Sequence, residues 1–217
     1  MRSFELFTAV SNVLLPTAIC MYYYTQRQHL KAVPQPLVWF MGLSVVHQIA
    51  QLYTLISGTQ LWLLQHLYGI WHLFITVMLL KEGFNTITQK ILIAIVGLFT
   101  LLWFCDIVFI EGWHNLNSLG LGLSHMLTLL ICMAFLLNIA STEKVMYFQR
   151  LPEFWVATAF LQYAALTILS VISYRYFFHL NMIEEANSLL AIESFANILR
   201  FVLIIVALAC YKRLYIR

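Results

Sequence analysis

Glu193, Asn197 and Arg200 stand four and three residues apart in LAIESFANILRFVLIIVALAC, residues 190–210, so a helix would carry them on one face. Inserting an arginine near the middle of such an apolar stretch costs roughly 2.5–3.5 kcal/mol. Anion binding is one chemistry that would justify it. Along a helix Arg200 and Glu193 are separated by about 10.5 Å, so each needs a partner elsewhere. Arg200 then either completes its coordination with water or an anionic headgroup, or is a structural arginine satisfied by Asn197, Tyr163 and helix carbonyls.

A second chemistry is suggested by His47, His72 and His125, which fall in three different apolar runs, with Asp106 in a fourth. Catalytic zinc takes three protein ligands and keeps an open position. Seven-helix hydrolases of the ceramidase and adiponectin-receptor group use such a site, but they carry an HxxxH pair in a late helix, and the last run here has no histidine. We expect hydrogen bonding from these histidines, with no zinc and no other cofactor. The sequence holds no nucleophile elbow, P-loop, dinucleotide fingerprint or HExxH. A retinal protein needs a Schiff-base lysine in its last helix, and the seventh run has none before Lys212.

The elements that must position these groups are membrane helices. Of 217 residues, 62% are hydrophobic and 10% charged, against about 25% charged in a soluble domain. Apolar runs of the length that a ~30 Å hydrocarbon core demands recur at about 4–24, 36–57, 60–80, 91–110, 117–140, 154–175 and 188–211. The expected fold is therefore an all-α integral membrane protein, a seven-helix bundle forming one domain over residues 1–217. Arg2 and the segment LPTAIC lack the pattern of a cleaved leader, so the first run is read as a retained helix. Cys20, Cys105, Cys132 and Cys210 lie within apolar runs without paired spacing, which argues against a disulfide framework or a CxxC metal site. Turn-formers punctuate the runs, among them Pro34, Pro36, Gly58, Gly112 and Pro152, while Pro16 falls inside the first.

Basic residues set the expected orientation, because Lys and Arg are retained in the cytoplasm. Arg27, Lys31, Lys81, Lys90, Lys144, Arg150, Lys212, Arg213 and Arg217 fall on one side, and only Arg2 and Arg175 on the other. The amino terminus is read as outside and the carboxyl terminus as cytoplasmic. The net charge of +3 is spread among short loops beside lipid headgroups, which gives no reason to invoke nucleic acid.

Helical spacing collects the polar side chains into seams. The second run presents Ser44, His47 or Gln48, Gln51, Thr54 and Ser57; the third presents Gln65, Tyr68 or Gly69, His72 and Thr76. Lipid does not accept such seams, so they face inward. Counting about 1.5 Å per residue from the outer helix ends puts Asp106, Glu193, Gln51, Gln65, His66 and His125 in the outer third and His47, His72, Tyr163 and Arg200 midway. That pattern describes a polar cavity open to the outside and ending at Arg200. Aromatic residues near the run ends, including Trp39, Trp113, Trp155 and Tyr211, are read as interfacial belt.

Two resemblances bear on function. Pro34–Gln35 resembles the dipeptide of the PQ-loop carriers, small-solute transporters of similar length, although there it kinks an apolar helix and here it follows the polar TQRQHLKAV. LLQHLYGIWHLF and LPEFWVATAFLQYAALTILS resemble segments of uncharacterised seven-span inner-membrane proteins of Gram-negative bacteria, the matching positions being His66, Leu67, Tyr68, Phe154, Trp155 and Tyr163. That resemblance implies an inner-membrane protein and no established activity, a sensory or signalling role being the one suspected for such proteins. The leading expectation is receptor-like binding of a small polar, anionic or amphipathic ligand by Arg200, Glu193, Asn197, His66, His72, Gln51, Gln65 and Asp106. A small-solute transporter, a zinc-dependent intramembrane lipid hydrolase and a subunit that docks to another membrane protein remain alternatives. The orientation is directly testable: a reporter active only in the cytoplasm should give signal when fused to the carboxyl terminus and none when fused within residues 111–117, and the reverse pattern would overturn the charge argument.

Overall fold

Among the described residues the chain forms seven α-helices and two short 3-10 turns, with no strand. The structure is a computed structural model that describes residues 2–57, 62–110, 112–113, 118–141, 148–180 and 182–216, without the side chains at 2–6, 55, 62, 65, 148, 174–175, 178–179, 183–188, 190 and 214–216. The helices are α1 (Arg2–Thr25), α2 (Gln35–Ser57), α3 (Trp62–Leu80), α4 (Thr86–Phe109), α5 (Ser118–Ser141), α6 (Pro152–His179) and α7 (Ile183–Ile216).

Where the helix ends differ from the apolar runs, local chemistry explains the difference. α4 begins five residues before position 91 because Asn85 caps it, its side chain accepting from the Thr88 amide at 2.8 Å. Hydropathy misses this start, since the first turn of α4 is polar. Pro152 occupies the first position of α6, where its missing N–H costs no intrahelical bond. Beyond the end of α4, Gly112 takes φ 78°, a left-handed conformation open to glycine. α7 is 34 residues long, about 50 Å at 1.5 Å per residue, because its polar ends continue the helix past its apolar middle.

Four helical segments are long and apolar enough to cross a membrane: Thr86–Phe109, Ser118–Ser141, Pro152–Ser173 and Ala191–Arg213. The polar seams read in the sequence fall on α2, α3 and α7. Packing places six helices in a cycle, each against the next in the order α1, α2, α3, α5, α6, α7 and back to α1, with a further α3–α6 contact across the middle. α4 packs on α3, on α5 and on the 3-10 turn Lys81–Gly83. Only 28% of its apolar segment is buried, against 44–50% of the other three, so α4 is the least enclosed of these four.

Close approach of α3 and α5 depends on small residues. A Cβ on Gly69 would lie 3.3 Å from Leu121 Cδ2, and the Ser124 hydroxyl donates to the Gly69 carbonyl at 2.7 Å. One expected belt residue sits differently: Tyr211 is buried, its hydroxyl donating to Glu153 Oε1 at 3.4 Å across α6 and α7.

The turn after α3 is docked on α5. Asn138 Nδ2 donates to the Gly83 carbonyl at 2.7 Å, and the Phe84 and Phe135 rings meet edge to face at 5.8 Å. A Cβ on Gly83 would lie 2.9 Å from Phe135 Cδ2 and closer still to Cε2. Gly83→Ala should therefore lower the melting temperature in detergent by an overpacking cost of about 1–3 kcal/mol. Gly97→Ala on α4, where nothing lies within 4 Å, should leave it unchanged or slightly raised. Equal melting of the two variants would show that the turn is not held against Phe135.

Candidate functional site

Arg200 is the largest fully buried side chain among the described residues, at 0% exposure. Its place on α7 follows from the helical repeat, which aligns it with Asn197 and Ala196 on the inner face. Nη1 donates to the Tyr68 hydroxyl at 3.0 Å and contacts His72 Nε2 at 3.2 Å, while Nη2 donates to Asn197 Oδ1. A guanidinium has only donors, so His72 Nε2 must accept and the proton of a neutral His72 must sit on Nδ1. The polar partners of this cation are all neutral side chains.

Aromatic rings complete the enclosure. The Arg200 Cζ lies 3.7 Å from the centroid of Tyr163, 4.9 Å from that of Phe40 and 5.4 Å from that of Phe201. A desolvated cation–π contact contributes up to about 2 kcal/mol. Together with the hydrogen bonds it brings the insertion cost of about 2.5–3.5 kcal/mol close to balance.

Each helix of the six-membered cycle contributes to this centre. α3 supplies Tyr68 and His72, and α6 supplies Tyr163, whose hydroxyl receives a hydrogen bond from Tyr68 at 2.9 Å. α2 brings His47, stacked on Tyr68 at 4.2 Å, and α5 brings His125, 5.5 Å from His72 and 5.4 Å from Tyr163 between ring centroids. α1 reaches in through Asn12, which accepts from Asn197 Nδ2 at 2.9 Å. Pro16 follows four residues later and has no N–H to give the Asn12 carbonyl. The helix is thus freed of one backbone bond at the level where its side chain crosses to α7.

The structure divides the residues singled out in the sequence. Arg200, Asn197 and His72 are in direct contact, and Glu193 joins them indirectly, as the acceptor of a 3.4 Å hydrogen bond from the Tyr163 hydroxyl. His66 is buried elsewhere. Its ring packs edge-on to Trp103 and Trp113 at 6.5 Å and 6.3 Å, and its carbonyl accepts from Trp103 Nε1 at 3.0 Å. Asp106 is buried on α4, three residues after Trp103. Gln51 is half-buried on α2, one turn beyond His47, and the side chain of Gln65 lies outside the described residues. Residue counting placed His125 in a layer apart from Arg200, yet its ring packs against both His72 and Tyr163. Asn12 was missed altogether, although an asparagine four residues before a proline in an apolar run is a readable signal.

Two features limit the chemistry. Among the described residues no three His, Cys, Asp or Glu side chains are grouped to hold a metal ion, and His72 Nε2 faces a guanidinium that would repel a cation. The Arg200 Nε and the Nδ1 atoms of His47, His72 and His125 are buried without hydrogen-bond partners among the described residues. The centre therefore retains hydrogen-bonding capacity in a place where it is expensive to leave unused.

The α1 contact predicts a measurable difference. Asn12→Ala should destabilise the protein in detergent by about 0.6–1.7 kcal/mol, the range of interhelical hydrogen bonds in membranes. Ser11→Ala, whose hydroxyl bonds only the Phe7 carbonyl of its own helix, should melt like the parent. Equal effects would remove Asn12 from the centre.

No family model matches the chain, and neither a curated protein nor a solved structure does.

Proposed function

We propose that this is a seven-span protein of the bacterial inner membrane, with its amino terminus outside and its carboxyl terminus cytoplasmic, and that it acts as a receptor-like sensor. Its ligand is small, polar or amphipathic, and carries an anionic group that Arg200 binds. Seven spans are supported by the lengths of α1, α2 and α3, 24, 23 and 19 residues, and by their place in the same cycle as the longer apolar helices. The orientation rests on nine basic residues against two.

The observation that carries the ligand reading is a fully buried guanidinium whose polar partners among the described residues are all neutral and whose Nε has no partner among them. An anion would complete that shell with a charge-assisted bond, stronger than those it now makes. Because Arg200 is enclosed from every side, an anion reaches it only when helices of the cycle separate. Binding therefore favours one helix arrangement over another, which is the thermodynamic requirement for a sensor. Tyr68, His72 and Asn197 orient the bound group, and Tyr163 supplies an aromatic wall.

The test uses dodecanoate as an amphipathic anion and dodecanol as its uncharged counterpart, titrated calorimetrically into the protein in nanodiscs. The parent should bind dodecanoate and not dodecanol, and Arg200→Gln should lose at least about tenfold in affinity, roughly 1.4 kcal/mol, while remaining inserted and helical. A glutamine variant that binds equally and merely melts earlier would make Arg200 a structural residue. Accumulation of the anion inside sealed vesicles would favour a transporter, and one zinc per chain by elemental analysis would favour the hydrolase.

A further inference from the structure

The hydrogen bonds between Arg200 and Glu193 form a line with unlike ends. A guanidinium can only donate, and a carboxylate can only accept. Tyr68 Oη accepts from Arg200 Nη1 at 3.0 Å and donates to Tyr163 Oη at 2.9 Å, and Tyr163 Oη donates to Glu193 Oε1 at 3.4 Å. Both tyrosine hydrogens are thereby oriented. The line runs from α7 to α3, across to α6 and back to α7, so it ties together three helices that meet at the middle of the bundle.

Exposure differs between the two ends. Arg200 is fully enclosed, whereas Glu193 is half-buried and lies two residues inside the apolar segment Ala191–Arg213. Glu193 thus keeps an exposed edge, close to the end of the apolar segment, that Arg200 lacks. Glu193 is also the one member of the line able to change charge by taking up a proton, since Arg200 stays protonated and the tyrosines already carry theirs.

We infer that Glu193 is a proton-binding site whose occupancy is transmitted to Arg200 through Tyr163 and Tyr68. The carboxylate takes one proton from the aqueous phase and becomes a neutral carboxyl. Both tyrosines keep their hydrogens, and no other group gains or loses one. When the new O–H points at Tyr163 the line has a donor at each end, and one tyrosine hydrogen must turn out of it. When the carbonyl oxygen stays on Tyr163, the charge that oriented the hydroxyl has gone and a charge-assisted bond becomes a neutral one. Either arrangement loosens the link between α6 and α7 and frees Tyr68 to turn from Tyr163.

The titratable groups facing this line from each packed helix are Tyr163 on α6, Tyr68 and His72 on α3, His47 on α2 and His125 on α5. α1 presents Asn12, which does not titrate. Glu193 is the acid of the line; the three imidazoles flank its tyrosines, and the group that hydrogen-bonds the carboxylate is Tyr163. This proton site stands beside the anion site and does not require an organic ligand.

Infrared difference spectra of the full chain in nanodiscs, acid minus neutral and without added ligand, test the inference. Acidification should produce a carboxylic-acid C=O band together with a change in the tyrosine ring C–O band. Glu193→Gln should lose one component of the carboxylic-acid band together with the tyrosine change, Tyr68→Phe should lose part of the tyrosine change, and Tyr163→Phe should shift the titration midpoint of that carboxyl component. Glu193→Asp, which keeps a titratable group at a shorter reach, should restore a displaced carboxyl band should the glutamine variant fold poorly by circular dichroism. A tyrosine change that persists in Glu193→Gln, or a carboxyl titration indifferent to Tyr163→Phe, would overturn the proposal. Dodecanoate binding is measured separately, so failure of either result leaves the other standing.

Discussion

A guanidinium that cannot reach water organises this molecule. Arg200 has five N–H donors and no acceptor, and in a low-dielectric interior each one left unmatched is costly. One helix cannot supply the acceptors by itself, because side chains on a helix point away from its own axis. The partners therefore come from Tyr68 and His72 on α3 and Asn197 one turn away on α7, with the Tyr163 ring of α6 stacked on the cation. Asn197 in turn draws in α1 through Asn12. The cyclic packing of six helices is the arrangement that lets all of them reach one point.

The same constraint explains why α4 stands apart. The partners of Arg200 come from α2, α3, α6 and α7, and α4 packs on α3 and α5 outside the cycle of six. Its apolar segment is the least buried of the four. His66 and Trp103 form a separate packing contact there, which joins α3 to α4 without touching Arg200. Two polar neighbourhoods thus coexist, and only the one around Arg200 involves the whole cycle.

Neutral partners matter as much as their number. Had a carboxylate met the guanidinium directly, the pair would be a fixed strut whose disruption leaves a buried charge. Here Glu193 is held at a distance by two hydroxyls, each of which can donate in more than one direction. In the proposed sensor, one proton or one anion would rearrange such a link, where a direct salt bridge would have to be broken.

The sequence by itself determined the all-α class, the seven helices within a few residues and the inward seams, because apolar run length and the 3.6-residue repeat are local properties. It also singled out Arg200, Asn197, Glu193 and His72, since charge in an apolar run is costly wherever the run packs. Caps were legible only in part: Asn85 starts α4 in a polar stretch that hydropathy does not register. Tertiary structure alone decided which seams meet. The Tyr68 to Tyr163 hydrogen bond spans 95 residues and that of Asn12 to Asn197 spans 185, and no spacing rule connects positions so far apart. It also set His66 apart against Trp103 and Trp113 and brought His125 into the centre, because helix neighbours and relative heights depend on how the bundle closes rather than on the rise along any one helix.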